Sequence, residues 1–374
     1  MLHNACIAFC DGIITYIGTE AVEAEKVIDA HGAYLVPGFV DIHCHGGAGL
    51  QLNGIEGKRI DADGVKTIAE YHLSRGTTTL LPTTTTSSMQ DIENALACVE
   101  EHLRTEKITN VAGIHMEGPW LSSAQCGAQD TKNMISPSAR QLRELKEKYP
   151  SIIRVGAAPE LDGGMEFGEA AKALGINASV AHSDATFAEI GVALEHGYNL
   201  MTHLYSGMKG TERKNAYRIA GAVEGGLYFD DMYVEIIADG KHLPLELLKY
   251  IYKFKGRDKI CLITDAVRAA GLPNGTVIKD GDSIVAIVED DVAKVPDRSC
   301  FAGSAATTDR LYRTMAEAIG RDFVSLSRMA SLTPARLMGF TDRGELAVGK
   351  RADIVILNDS LSVERVILNG NAVN

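Results

Sequence analysis

Residues 40–47 read VDIHCHGG, and this stretch determines how the rest of the chain is interpreted. An apolar, largely β-branched run leads into His43 and His45, which are separated by one residue. On a β-strand, residues i and i+2 point to the same face, so the two imidazoles can share one metal ion. The glycines that follow end the strand and let the backbone pass close to a ligand. The alternative is a strand with two exposed histidines before a turn, and this stretch alone does not decide between them.

The composition of the 374 residues is that of a globular protein, with 45% hydrophobic and 23% charged residues. A formal net charge of -12 argues against a nucleic-acid-binding protein, which would need a basic face. The seven cysteines are scattered and form no C-x-x-C motif, which favours reduced thiols and a cytoplasmic protein. No apolar run reaches the length of a membrane span. We therefore expect neither nucleic acid nor a membrane as a partner.

Downstream of residue 38, apolar strands alternate with amphipathic helices. Each strand candidate is a short, mostly continuous apolar run, as expected for strands that are buried on both faces. Eight such β/α units predict an α/β fold of the (β/α)8 TIM-barrel type. The strand candidates are Phe39–His43, Thr78–Pro82, Val111–Glu117, Ile152–Ala157, Ala178–His182, Asn199–His203, Tyr233–Ala238 and Ile260–Asp265.

The two ends of the chain show a different pattern of short strands and turns. We predict that residues 1–37 and 344–374 pair into one small β-sandwich beside a barrel of residues 38–343. The barrel carries a turn-rich insert at about 271–300, with hairpin signals at Asn274-Gly275 and Asp280-Gly281. Helices are expected around Thr307–Ile319 and Ser325–Met338. The terminal strand candidates are Ala5–Phe9, Ile13–Ile17, Val27–Asp29, Ala33–Val36, Glu345–Val348, Ile354–Leu357 and Val363–Leu368.

The carboxyl ends of the predicted barrel strands carry many histidines and carboxylates, and active sites of TIM barrels form at this rim. Imidazoles with one carboxylate suit a divalent metal such as zinc, and such an ion lowers the pKa of a bound water. Asp265, at the end of strand eight, is the candidate for the residue that transfers protons. The alternative is that Asp265 only caps the helix after strand eight. The residues at this rim are His43, His45, His115, Glu117, His182, His203, Asp239, His242 and Asp265.

Several segments, in the same order along the chain, resemble the N-acetylglucosamine-6-phosphate deacetylases of the amidohydrolase superfamily. The segments are 43–45, 114–119, 181–186, 202–208, 236–242, 262–270, 301–310 and 344–353, which together cover essentially the whole chain. The resemblance implies a hydrolase that converts N-acetylglucosamine 6-phosphate to glucosamine 6-phosphate and acetate. The alternatives are an amidohydrolase for N-acetylgalactosamine 6-phosphate or another acylated amine, and a non-catalytic scaffold.

The same resemblance implies a role for each matching residue. Asp265 would activate a metal-bound water and then protonate the leaving amine, and His242 would contact the hydroxyl or phosphate region of the substrate. One or two divalent ions are expected per subunit, with zinc ahead of iron, cobalt and manganese. The implied ligands are Glu117, His182 and His203 for the main ion and His43 and His45 for a second ion, with Glu117 bridging.

Three departures from the family pattern bear on the substrate. Ser206 and Gly207 stand where the family has Asn-Ala, and a serine reaches less far than an asparagine. Gln129 stands where some members have a histidine that polarises the carbonyl, and its amide can donate a hydrogen bond but cannot be protonated. Arg213 and Lys214 are the candidates for a phosphate-binding cation. In relatives this cation crosses a dimer interface, which implies a homodimer.

Two cysteines lie close to the predicted site. Cys44 separates the two histidines, and its side chain alternates to the opposite face of the strand. Cys126 follows the segment around Glu117. We expect neither thiol to be a nucleophile.

Overall fold

The computed structural model of the chain describes residues 2–54, 59–280 and 283–373. In this part of the chain, eight parallel strands form the main sheet and lie side by side in chain order. The predicted α/β barrel is therefore confirmed. The strands are β1 Phe39–Cys44, β2 Thr77–Thr84, β3 Ile114–Glu117, β4 Ile152–Ala157, β5 Asn177–Val180, β6 Tyr198–Met201, β7 Tyr233–Ile236 and β8 Ile260–Leu262.

The first and last strands close the barrel directly beside the candidate site. A parallel bridge joins Cys44, at the end of β1, to Ala266, just after β8. The amide of Asp265 donates to the carbonyl oxygen of His43 at 2.9 Å, and the amide of His45 donates to that of Ala266 at 2.8 Å. Barrel closure therefore places Asp265 next to the two histidines of β1.

Four strands end earlier than the sequence pattern predicts: β7 ends at Ile236 instead of Ala238, and β5, β6 and β8 end before the polar residue expected at their ends. His182, His203 and Asp265 were expected inside strands β5, β6 and β8, but these strands end at Val180, Met201 and Leu262. The three polar residues have φ angles of +42°, +29° and +47°. A positive φ is incompatible with the extended conformation of a strand. The backbone therefore turns at each of these residues, and the side chain can face the barrel mouth.

Helices follow most of the barrel strands and cover the outside of the sheet. Side chains cap two of them: Ser88 caps the helix Met89–Thr105, and Thr186 and Glu189 form a capping box at the start of Phe187–Glu195. The helices are α1 Ala62–Leu73, α2 Met89–Thr105, α3 Ala139–Lys148, α4 Gly164–Ala173, α5 Phe187–Glu195, α6 Ala222–Tyr228, α7 Leu245–Lys255, α8 Thr308–Ile319, α9 Phe323–Ser327 and α10 Thr333–Leu337, with 3-10 turns at Ser123–Gln125 and Thr131–Asn133.

The single helix predicted over Ser325–Met338 is wrong in detail. The structure has α9, then a π-helical turn at Arg328–Leu332, then α10. Pro334 lies in the first turn of α10. A proline has no amide hydrogen and its ring crowds the preceding turn, so it is compatible with a new helix start but not with an uninterrupted α-helix.

The two ends of the chain lie next to each other. Tyr34–Pro37 pairs antiparallel with Ile354–Leu357, and Val363–Leu368 and Asn371–Val373 extend this sheet. A separate hairpin joins Cys6–Cys10 to Ile13–Gly18. The division of the chain into a barrel and a β-sandwich stays a prediction.

Two of the predicted terminal strands are wrong. Val27–Asp29 and Glu345–Val348 are not strands in the structure. Val27 and Val348 are 78% and 63% exposed. Because these apolar side chains have little buried surface, packing does not compensate for the entropy of ordering a strand there.

The insert after β8 forms a four-stranded antiparallel sheet among the described residues. Asp280 pairs with Ser283, while Gly281, which belongs to a predicted hairpin turn, lies outside the described residues. The other hairpin signal, Asn274-Gly275, is a turn that precedes the first of these strands and is not a hairpin. The strands are Val277–Asp280, Ser283–Glu289, Val292–Lys294 and Phe301–Ser304, and short two-stranded sheets lie at Gly46–Gly47 with Leu50–Gln51 and at Glu212–Lys214 with Tyr217–Ile219.

The predictions about cysteines and about membrane-spanning segments can be compared with the described residues. The seven cysteines are all free thiols there. None of the helices in the described ranges is both long enough and apolar enough to cross a membrane.

Candidate active site

Four histidines converge on the carboxylate of Glu117 at the carboxyl ends of the barrel strands. Oε1 of Glu117 lies 2.8 Å from Nε2 of His203 and 3.5 Å from Nε2 of His182. Oε2 lies 3.2 Å from Nε2 of His45 and 3.7 Å from Nε2 of His43. One carboxylate oxygen therefore faces each histidine pair, which is the arrangement needed for a carboxylate that bridges two ions.

The opposite ring nitrogen of each histidine faces an oxygen that can only accept a hydrogen bond. Nδ1 of His182 lies 2.7 Å from the carbonyl oxygen of Gln125, and Nδ1 of His203 lies 3.0 Å from that of Ser206. Nδ1 of His45 lies 3.2 Å from the carbonyl oxygen of Thr83. A carbonyl oxygen holds the ring proton on Nδ1, which leaves Nε2 free to bind a metal.

Nδ1 of His43 has a different partner, the carboxylate of Glu235, at 3.3 Å. All four Nε2 atoms are thus oriented toward Glu117 while each Nδ1 atom donates elsewhere. This donor set fits divalent metal ions, because metal-binding histidines nearly always donate their other ring proton to an oxygen. Two groups of these residues could each hold an ion: His43, His45 and Glu117, and Glu117, His182 and His203.

Asp265 lies on the side of the cluster formed by His43 and His45. Its Oδ1 is 3.2 Å from Nε2 of His45 and 3.5 Å from Nε2 of His43. Its side chain is 14% exposed, whereas those of Glu117 and His43 are at most 1% exposed. Asp265 is therefore the carboxylate of the cluster that a molecule entering from the barrel mouth can approach.

The electrostatics of the cluster favour ionised carboxylates. Burial alone would raise the pKa of Asp265, but the charge of His43 and a hydrogen bond from His45 outweigh it and lower the pKa to about 2. Burial also acts to raise the pKa of Glu117, yet the surrounding histidines hold it well below its usual range. Both carboxylates are therefore anionic near neutral pH, which is the state required to attract a divalent cation.

The structure brings Gln129 into the site. Its Nε2 donates to Oε2 of Glu117 at 2.7 Å, and its Oε1 accepts from the amide of Thr86 at 2.8 Å. The amide is therefore oriented with its donor toward the cluster. Its role in binding a substrate stays a prediction.

The backbones of Ser206 and Gly207 lie beside two of the candidate metal-binding histidines. The carbonyl oxygen of Ser206 orients His203, and the amide of Ser183 donates to the carbonyl oxygen of Gly207 at 3.0 Å. Gly207 has a φ of +57°, and a Cβ atom added there would lie 2.5 Å from Nδ1 of His182. A side chain at this position would therefore displace a candidate ligand.

His242 is fixed near the rim by Asp239. Its Nδ1 lies 2.8 Å from Oδ2 of Asp239, whose Oδ1 accepts from the backbone amide of His242 at 2.8 Å. The imidazole packs against Phe301, with 4.6 Å between ring centroids. In this arrangement Nδ1 carries the proton, and Nε2 of His242 is available to another group.

Arg213 and Lys214 are not part of this cluster. Both are exposed and lie on the hairpin formed by Glu212–Lys214 and Tyr217–Ile219. Within the described residues, neither side chain has a hydrogen bond or an ion pair. The structure of the single chain therefore leaves the two cations accessible to another molecule.

Sequence analysis missed Glu235 and Arg154, which lie beneath the histidines. Both are fully buried and form an ion pair with each other. A charged residue in the middle of each apolar strand, β4 and β7, was the available signal, because unpaired charges are almost never buried. His115 is also buried, and its ring lies edge-on to that of His43 with 4.8 Å between centroids.

Comparison with known proteins shows the family of the chain. The pattern of the amidohydrolase family matches residues 34–373. The chain belongs to the amidohydrolase family. It is 32% identical to the N-acetylglucosamine-6-phosphate deacetylase of Lysinibacillus sphaericus over 364 residues, which are 96% of this chain and 91% of that protein. This membership places the chain among hydrolases that act on amides, a family that generally binds a divalent metal.

Two further relatives extend the comparison. The N-acetylgalactosamine-6-phosphate deacetylase of Escherichia coli O157:H7 is 30% identical over 373 residues, covering 99% of this chain and 94% of that protein. The solved structure of the N-acetyl-D-glucosamine-6-phosphate deacetylase of Mycobacterium smegmatis, in complex with N-acetyl-D-glucosamine-6-phosphate, superposes with a TM-score of 0.87. It is 29% identical and covers 97% of this chain and 93% of that chain.

Proposed function

We propose that this amidohydrolase removes the acetyl group of N-acetylglucosamine 6-phosphate, giving glucosamine 6-phosphate and acetate. The observation that carries the proposal is the carboxylate of Glu117, which each of four histidine Nε2 atoms faces within 3.7 Å. The names of the two relatives that act on N-acetylglucosamine 6-phosphate support the substrate.

We propose that Glu117, His182 and His203 hold one divalent ion and that His43 and His45, with Glu117, hold a second. Zinc is the first candidate for a set of imidazoles and carboxylates, and iron, cobalt and manganese use similar ligands. When bound, such an ion polarises the acetamide carbonyl and lowers the pKa of water.

Asp265 then moves the protons of the reaction. Its carboxylate is ionised and partly exposed, so it can take a proton from the attacking water and hand it to the leaving amine nitrogen. Gln129 would donate to the substrate or keep Glu117 oriented. His242 would use its free Nε2 on a hydroxyl or the phosphate of the sugar, and Ser206 and Gly207 would bind through the backbone.

A screen for released acetate over N-acetylated sugars, with and without a 6-phosphate, tests this function. The metal-free protein is reloaded with zinc, and N-acetylglucosamine 6-phosphate is expected to have the highest kcat/KM. No acetate release from any sugar would overturn this function and would favour a non-catalytic scaffold or an enzyme for another acylated amine.

N-acetylgalactosamine 6-phosphate is the second candidate substrate. It is favoured by the similarity to the deacetylase of Escherichia coli O157:H7 over nearly the whole chain. The two sugars differ only in the orientation of one hydroxyl group, so the same screen distinguishes them by the ratio of kcat/KM.

We further propose a cytoplasmic homodimer in which the exposed hairpin with Arg213 and Lys214 reaches the phosphate in the partner's site. Its support is the exposure of both cations and of Tyr217, which is 77% exposed, on this hairpin. The small sheet formed by the chain ends, within 1–37 and 344–374, is proposed as a separate domain beside the barrel.

Mixed dimers test the shared site. A protein with Arg213→Met and Lys214→Met and a protein with Asp265→Asn should each have low activity alone. Mixing them should restore activity, because one site of the mixed dimer then has both a working Asp265 and the partner's cations. No recovery, with dimers present in sedimentation, would show that each chain supplies its own phosphate contacts.

A further inference from the structure

Glu235, in β7, connects the two halves of the candidate metal site. Its carboxylate is fully buried. Oε2 lies 3.3 Å from Nδ1 of His43 and also accepts from the backbone amide of His203 at 3.2 Å. The same oxygen therefore contacts one histidine from each proposed metal pair.

Arg154, in β4, fixes this carboxylate in place. Its guanidinium pairs with Oε1 of Glu235, and its Nη1 also donates to the carbonyl oxygen of Ile42 at 2.8 Å. Both charges are buried, and each neutralises the other. Removing one partner alone would leave an uncompensated charge in the interior. Glu235 therefore has one oxygen on Arg154 and the other on His43.

His43 differs from the other three histidines in what orients it. His45, His182 and His203 each face a backbone carbonyl oxygen, which no substitution can remove directly. The orienting partner of His43 is a side chain. A carboxylate accepts only, so Glu235 keeps a proton on Nδ1, and Nε2, on the side of Glu117 and His45, is the nitrogen left to bind a metal.

We propose that Glu235, held by Arg154, is a positioning residue that selects the Nδ1-protonated tautomer of His43 and thereby allows a second divalent ion to bind. The inference rests on the two-ion site of the proposed function. It predicts that the number of bound ions depends on a residue that contacts neither ion.

The substitution Glu235→Gln reverses this preference. Arg154 has only donors, so it holds the amide oxygen of the glutamine. The amide NH2 group then faces His43, and Nδ1 must accept its hydrogen bond. This places the ring proton on Nε2, where it competes with the metal.

Zinc content is the main measurement. The metal-free wild-type protein is reloaded, dialysed against a weak chelator and analysed for zinc, together with Glu235→Gln. We expect two ions in the wild type, and a second ion bound about 10- to 100-fold more weakly in the variant, with the first retained. In the zinc-loaded wild type with 15N-labelled histidine, the ring-nitrogen shifts of His43 should show a protonated Nδ1 and a metal-bound Nε2, and this pattern should be lost in the variant.

The control is Asp353→Asn. Asp353 is a buried carboxylate that pairs with an arginine, Arg351, at 3.1 Å, far along the chain from the site. This variant should lose an ion pair whose carboxylate is also buried, and it should still bind two ions with the affinity of the wild type.

A second variant covers the case in which Glu235→Gln does not fold. Replacing the whole pair, by Arg154→Met with Glu235→Leu, leaves no buried charge unpaired, and such replacements are often neutral for stability. His43 then lacks an acceptor, and the second ion should again bind more weakly. Wild-type affinity for the second ion in either folded variant would overturn the inference.

The outcome is separable from that of the proposed function. Two ions in the wild type without release of acetate would overturn the deacetylase activity and leave this inference in place. Release of acetate by a wild-type protein that holds a single ion would overturn the inference and the proposed second ion, and would leave the deacetylase activity in place.

Discussion

Oε1 of Glu117 lies 2.8 Å from Nε2 of His203. Both side chains are buried, and at this distance the carboxylate contacts the imidazole directly. In the proposed metal-bound state, an ion would replace this direct contact, and the negative charge of the carboxylate would attract that ion.

We therefore expect Glu117→Gln to lose most of its bound metal. The amide keeps the shape of the side chain but has no charge to offer either ion, and its NH2 group cannot coordinate. Zinc content should fall from about two to below one ion per subunit, and acetate release should fall with it. Full zinc content in the folded variant would remove Glu117 from the ligand set.

Gly207→Ala should disturb His182. The added Cβ atom would lie 2.5 Å from Nδ1 of His182, and the φ of +57° disfavours any L side chain. We expect the free energy of unfolding to fall by about 1–3 kcal/mol, together with a loss of metal affinity.

Gly320→Ala is the matched control for this prediction. Gly320 also has a positive φ, +87°, but a Cβ atom there would have no neighbour within 4 Å in the described structure. The control should lose about 1–3 kcal/mol from backbone strain alone, because its ψ of 172° also disfavours L-residues, and should keep its metal and its activity. Equal metal affinity in both alanine variants would show that Gly207 does not position His182.

Cys44→Ala should retain most of its activity. The thiol is fully buried, and burial raises its pKa well above the usual range, so it is not a thiolate at neutral pH. In the native protein, iodoacetamide should modify the exposed Cys10 and Cys300 and leave Cys44 unmodified. An acetylated Cys44 after incubation with substrate would instead identify it as a nucleophile.

The barrel and the rim of histidines were predictable from sequence because both follow from local patterns. Apolar runs at regular intervals specify buried parallel strands, and the ends of such strands meet at one rim. The H-x-H motif needs only the two-residue period of a strand to put His43 and His45 on one face.

The interior contacts were not predictable in the same way. That Glu235 contacts His43 depends on the relative register of β1 and β7, which are 192 residues apart in sequence at this contact. The strands predicted around Val27 and Val348 were wrong for a different reason. The local pattern is typical of a strand, but no other part of the described fold packs over these side chains. Long-range register and the presence of a packing partner are properties of the whole fold.

Stability should depend on pH through His72. This histidine is fully buried in α1, and burial lowers its pKa from 6.5 to about 4. Its pKa is lower in the folded state than in the unfolded state, so its contribution to stability is complete above pH 6.5 and is lost as the pH falls toward 4. The loss amounts to about 3 kcal/mol at most.

Urea unfolding at several pH values tests this prediction. Between pH 7 and pH 4.5 the free energy of unfolding should decrease more steeply in the wild type than in His72→Gln, which has no proton to gain. The glutamine variant will itself be less stable at pH 7, so the slopes are compared and not the absolute values. Parallel slopes would show that His72 does not contribute to acid unfolding.

The final prediction concerns Asp265, which combines three properties that a proton-transferring group needs. It is ionised, because its pKa is lowered to about 2 despite burial. Its Oδ1 lies 3.2 Å from Nε2 of His45, next to the proposed ions. It is also the cluster carboxylate with an exposed edge, at 14%.

Asp265→Asn preserves the shape of the side chain and removes its capacity to accept a proton. Positioned acid–base groups are worth about 10² to 10⁴ in rate, so kcat should fall by at least the lower figure. The KM for the sugar phosphate and the ion held by Glu117, His182 and His203 should change little, because the asparagine still fills the same space and those ligands are untouched. The measurement is kcat and KM with zinc content determined on the same sample, since a loss of metal would by itself reduce the rate. If the asparagine variant keeps wild-type turnover with full zinc content, Asp265 is only a ligand or a cap, and the proton must pass through another group, of which His242 is the first to test.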